Sequence, residues 1–254
     1  MISAFYLAAA TLHLALWVWG AVAWRRARRA TGRVPVGLTL VLLPAALLWW
    51  ENLRTGLGSI LGPGDLLYVL SVPALAWHWT VLPFFALAAL AMLDEAGMTW
   101  VRRWWLVLPV SLVVTALFAI DLPYALGLLT GGAGILPNVE LRVGCIGDAI
   151  RYTATLSEAY LCAPGDEVHR VGPGPIVAIV MVVLVLAGGV VLWSRRRWPW
   201  LALGAFAMFV AAGAGPAFGS YAAPLANLFE VTLVASMLAT GRWTALRSAG
   251  SRRG

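Results

Sequence analysis

Two histidines, three carboxylates and one amide stand inside or at the rims of long apolar runs: His13, His78, Glu51, Asp121, Glu230 and Asn227. Ionisable groups are costly in hydrocarbon, and where they persist they mark binding sites, proton paths or paired anchors. Three chemistries suit this set. Apolar walls with a few convergent polar groups form a pocket for a small apolar or amphipathic ligand, as in a receptor, carrier or chaperone. His13, His78 and Glu230 would be its base, with Glu51, Asn52 and Asn227 nearer the mouth and Asp121 beside them. Trp17, and Trp79 from the stretch AWHWTVLP, would wall it. Alternatively His13, His78 and Glu230 are metal ligands, because two imidazoles and a carboxylate with one open position make a catalytic zinc set. A metal-bound water would then hydrolyse a lipid amide or ester, with Glu51 or Asp121 as fourth ligand or base. Glu230 and Glu51 are the catalytic candidates, and a divalent metal is the one cofactor these residues suggest. The third chemistry is a proton path in a proton-coupled transporter.

Helical phase groups some of these residues. Tyr6, His13, Trp17 and Gly20 share one face of the first apolar run, and Ser71 lies one heptad before His78. Asn227 precedes Glu230 by three positions, so both can point into one cavity. Arg54 follows Glu51 by three, and an interfacial ion pair that only anchors the helix is the competing account of Glu51. Each histidine has a bland alternative too, a bond to a neighbouring carbonyl or hydroxyl. Glu230 has no arginine on its own segment to pair with.

The elements that must position these groups follow from composition. With 61% hydrophobic and only 11% charged residues, the chain is too apolar for a soluble domain, where about 25% is charged. Seven stretches reach the roughly 20 apolar residues that a membrane span needs: 2–24, 34–54, 66–92, 102–126, 173–194, 198–218 and 222–241. The expectation is an all-α membrane protein, one seven-helix domain over 1–254. Arginine clusters follow the first, third and fifth spans and fill the tail, whereas the long segment 127–172 mixes Arg142, Arg151 and Arg170 with five acids. The positive-inside rule then puts the N-terminus and the 127–172 loop outside and the C-terminus in the cytoplasm, in a multi-pass protein of the bacterial inner membrane. Cys145 and Cys162 both fall in that loop, spaced wrongly for a CxxC motif, and predict one disulfide in an oxidising compartment. The net charge of +7 is accounted for by helix ends, so membrane lipids and a small-molecule or lipid ligand are the expected partners, not nucleic acid.

The helix count and N-outside topology resemble microbial rhodopsins. LFEVTLVA puts Glu230 where that pattern has its counter-ion, yet the retinal lysine would fall at Val234. All eighteen basic residues are arginine, so no retinal Schiff base can form. The architecture also resembles in outline the alkaline ceramidase type of membrane hydrolase, which would imply a metal site. The seventh span carries NLFE, Asn227 to Glu230, where that family has HxxxH.

Overall fold

The computed structural model describes residues 1–163, 166–172 and 176–250. Eight α-helices dominate: α1 (Ile2–Thr31), α2 (Val36–Leu61), α3 (Asp65–Val81), α4 (Phe84–Glu95), α5 (Trp104–Thr130), α6 (Ile176–Arg196), α7 (Trp200–Ala214) and α8 (Ala222–Gly250). Five of them are long and apolar enough to cross a membrane, and α3 with α4 makes a sixth if that pair is one span. Large apolar side chains such as Leu112, Ile120, Val183 and Phe206 stand exposed on the bundle surface. Exposure on that scale suits a multi-pass membrane protein, whose outer surface meets lipid.

The expected third helix, 66–92, is broken. α3 and α4 meet at a 45° bend around Leu82 and Pro83. Proline lacks the N–H that would continue the ladder and its ring crowds the preceding turn. The expected sixth helix is short: α7 ends at Ala214 and a 3-10 turn, Gly215–Tyr221, follows, with Gly219 at φ 53°. The arginine-rich connector after the first span is itself helical, and α1 runs on to Thr31. Arginine is a good helix former and Arg28 and Arg29 complement the helix C-terminal dipole. Gly32, at φ 67°, then stops the helix in a left-handed cap.

The segment after α5 holds ordered β structure. Strand β1 (Arg142–Ile146) pairs antiparallel with β2 (Ala149–Thr153) through a two-residue Gly147–Asp148 turn. Gly147 adopts φ 58°, as such turns demand. A smaller pair, β3 (Thr155–Leu156) with β4 (His169–Arg170), continues it. The Cys145–Cys162 disulfide is present, with Cα atoms 4.9 Å apart, and ties β1 to the segment that follows β3.

The β1–β2 hairpin lies on one end of the bundle. Asp148 at its tip accepts hydrogen bonds from the α1 N-terminus, including Ile2 N–H at 2.6 Å. A Cβ on Gly58 of α2 would stand 1.7 Å from the Ile150 carbonyl oxygen, so only glycine lets β2 press so close. The main hydrophobic core fills the opposite, arginine-rich half, around Leu38, Val41, Phe85, Met92, Val185 and Met237. Only smaller clusters sit beneath the hairpin, one on Leu75, Leu128 and Ala154 and one on Tyr6, Ile146 and Ala149. The polar residues occupy the half that this core leaves.

Candidate functional site

α2 and α3 run antiparallel, and their facing sides carry the centre of the site. Glu51 and Arg54, three residues apart, share the α2 face that meets α3. The Glu51 carboxylate accepts a 2.5 Å hydrogen bond from His78 Nδ1 and lies 3.7 Å from the Arg54 guanidinium. Arg54 is only 2% exposed and is the largest fully buried side chain. It donates to Ser71 Oγ at 3.1 Å and to the Tyr152 carbonyl of β2 at 3.2 Å. Ser71 in turn donates to the Leu67 carbonyl at 2.7 Å. A buried guanidinium needs both a counter-charge and acceptors, and this one draws them from α2, α3 and the hairpin together. The Glu51–Arg54 ion pair that the anchor account expected is present, with Arg54 buried under β2, and Glu51 also bonds His78.

Around this triad the other groups converge unequally. Glu230, on α8, lies within electrostatic range of Glu51 and His78, and no hydrogen bond reaches its carboxylate among the described residues. Asp121, on α5, is 3% exposed and within electrostatic range of His78. His13 is fully buried, within range of Glu51, and neither ring nitrogen has a partner among the described residues. Asn52 is buried and donates to the Leu48 carbonyl at 2.8 Å, and Asn227 donates to the Ala223 carbonyl at 2.8 Å. Both amide NH2 groups thus serve their own helices. Trp79 packs against the small cluster below the hairpin. Trp17 is 36% exposed on the bundle surface, where it donates to the Leu42 carbonyl at 3.1 Å, and so stands apart from the polar groups.

The metal set expected from His13, His78 and Glu230 does not assemble. Among the described residues no three His, Cys, Asp or Glu side chains group closely enough to hold a metal ion. His78 spends its Nδ1 on Glu51, and His13 is enclosed on α1.

Sequence reasoning missed Arg151, which it counted only as loop charge. β2 carries it over the site, within electrostatic range of Glu51, Arg54 and Tyr6. Its guanidinium lies over the Tyr160 ring at 5.4 Å, and its Nε is buried without a partner. The Gly147–Asp148 pair between RVGCI and AIRYT was the available signal, because Gly-Asp between apolar-containing runs reads as a hairpin turn. Nine buried side-chain polar atoms have no hydrogen-bond partner among the described residues. Eight belong to Ser3, Tyr6, His13, Asn52, Arg54, Asp121 and Arg151, all in the half of the bundle beneath the hairpin, and the ninth is Arg196 Nε. Native interiors leave few such atoms unpaired, and eight of the nine gather in this half of the bundle. No protein-family model, curated protein or solved structure matches this chain.

Proposed function

We propose that this chain is a multi-pass protein of the bacterial inner membrane that binds a small amphipathic ligand beneath its hairpin. In this reading α3–α4 is one kinked span, and α7 with the turn after it is another, making seven. The N-terminus and the hairpin face outward, and the arginine-rich ends of α1, α6 and α8 face the cytoplasm. The disulfide in the hairpin segment supports the same orientation, since it needs an oxidising compartment.

The observation that carries the binding reading is the set of eight buried polar atoms in this half of the bundle without a partner among the described residues, several on side chains within electrostatic range of Glu51 or His78. Burying one such atom costs roughly 1–3 kcal/mol if nothing satisfies it. A polar head satisfying several at once would recover that cost, while an apolar body packs on α3 and α5. Glu230 is the group to test, because its carboxylate carries no structural hydrogen bond among the described residues. The chain is purified gently in mild detergent, and what co-purifies is extracted and identified by mass spectrometry. Wild type should carry one species near stoichiometry, and Glu230→Gln should lose it while staying folded, melting lower than ligand-loaded wild type and level with wild type stripped of the ligand. Identical extracts from both folded proteins would sink the reading.

One contact favours a second reading. The hydrogen-bonded Glu51–His78 pair, 2.5 Å apart with Glu230 within electrostatic range, would serve as the first step of a proton path. Proteoliposomes holding a pH gradient would dissipate it faster with wild type than with Glu51→Gln if the path is complete. Equal rates would remove it.

A further inference from the structure

At the end away from the hairpin, four arginines line one cavity of about 930 Å³: Arg33, Arg102, Arg196 and Arg247. Its two acids are already engaged. Asp94 holds Arg102 in a forked ion pair, with one arm at 3.1 Å. Glu95 accepts from Gly37 N–H and from the Thr244 hydroxyl, each at 3.1 Å. Arg33, Arg196 and Arg247 therefore have no carboxylate partner among the described residues, and Arg196 Nε is buried without any acceptor. Arg247 lies over the Trp243 ring at 5.1 Å, which orients it without neutralising it.

A second, apolar groove of about 170 Å³ runs along two of the helices that form this cavity. On α4, Leu90 and Leu93 of the groove immediately precede Ala91 and Asp94 of the cavity. On α6, Ala187 and Val191 lead toward Arg196. Trp100 closes the groove from the turn that also supplies Thr99 and Arg102 to the cavity. Exposed tryptophans at 100, 104, 105, 193 and 200 mark this level as a membrane–water interface.

We infer that the cavity is a binding site for an anionic phospholipid, its phosphate held by Arg33, Arg196 and Arg247 and an acyl chain laid in the groove between α4 and α6. Basic pockets between helices at a membrane interface bind anionic headgroups, and guanidinium groups match phosphate geometry. A free phosphate would satisfy the arginines but would leave the adjoining groove unused. The lipid thus explains both features. The site is separate from the polar group beneath the hairpin, so either can fail alone.

The test titrates dioleoyl phosphatidylglycerol and dioleoyl phosphatidylcholine into the detergent-solubilised full chain and counts bound lipid by native mass spectrometry. Phosphatidylglycerol should be retained in preference to phosphatidylcholine. Arg33→Gln/Arg247→Gln should weaken its binding about thirty-fold, about five-fold per arginine, and leave phosphatidylcholine unchanged. Both side chains are exposed, so the variant should fold. Ala187→Phe, at an exposed groove position, should weaken phosphatidylglycerol while every arginine remains. Equal retention of the two lipids, a preference that survives the arginine double variant, or no effect of Ala187→Phe would each overturn the assignment. So would complete displacement of phosphatidylglycerol by millimolar inorganic phosphate, which would mark a plain phosphate site.

Discussion

Gly58→Ala probes whether the hairpin truly sits on α2. The added Cβ would stand 1.7 Å from the Ile150 carbonyl oxygen and 2.7 Å from its carbon, where ordinary contact begins at 3.4 Å. Both neighbours are backbone, so no side chain can swing aside, and β2 must retreat by about 1.7 Å. That retreat breaks the 3.2 Å bond from Arg54 to the Tyr152 carbonyl, two residues along the same strand. The hairpin cannot move freely, because Asp148 ties its tip to α1 and the disulfide ties β1 to the segment after β3. Overpacking of this kind costs about 1–3 kcal/mol, or a melting temperature lower by about 2–12 °C. Thermal unfolding followed by tryptophan fluorescence reads it, and limited trypsin digestion reads the faster cleavage expected after Arg151. Gly64→Ala is the matched control, since a Cβ there meets nothing within 4 Å and its φ is −163°. If Gly58→Ala melts and digests like wild type and the control, the hairpin does not cover Glu51 and Arg54, and the reasoning about the site fails.

Cys145→Ser should abolish the gel mobility shift on reduction and cost about 3 kcal/mol for opening a loop of this length; an unchanged shift would mean no such bond. Arg54→Met strips Glu51 of its guanidinium and leaves Ser71 and the Tyr152 carbonyl without their donor, a loss of about 3–5 kcal/mol. In a cycle with Glu51→Gln the two should couple by more than about 1 kcal/mol, and additive effects in denaturant unfolding would dismiss the pair. Asp148 is held at a pKa of about 2, chiefly by a hydrogen bond from the N-terminal amine and also by the Ile2 and Ser3 amides. A depressed carboxylate stabilises the fold above its ordinary range near pH 4 and loses that contribution as pH falls toward 2. Melting temperatures from pH 5 to 2 should therefore fall more steeply for wild type than for Asp148→Asn, and parallel curves would dismiss the contact.

The local chemistry of this chain was legible because it acts over a few residues. Runs of apolar residues predict helices wherever lipid or core takes their faces, and the seven expected stretches all contain helix. Glu51 and Arg54 pair because three residues bring them to one face of a helix. The cysteine pairing followed because only two cysteines exist and both lie in one segment. The α3–α4 break was less legible. Pro44, Pro73, Pro109 and Pro123 all sit inside continuous helices, so proline alone does not say where a helix bends; its neighbours decide whether the freed carbonyls are met.

What only the tertiary structure decided is which polar groups meet. Sequence separation says nothing of a contact such as Arg54 with the Tyr152 carbonyl, 98 residues away, or of Arg151 arriving over Glu51 on a strand. Sequence grouped His13, His78 and Glu230 as the base of one pocket, but position along a helix is not direction, and no three-ligand set forms from them. Direction depends on how each helix is rotated against its neighbours, which the packing of the large apolar core at the arginine-rich end determines for the whole bundle. The types of the functional residues and their distance along the axis are local properties, carried by the chain itself. Their convergence is a property of rotation and approach between elements, and glycines such as Gly58 permit it only where two backbones nearly touch.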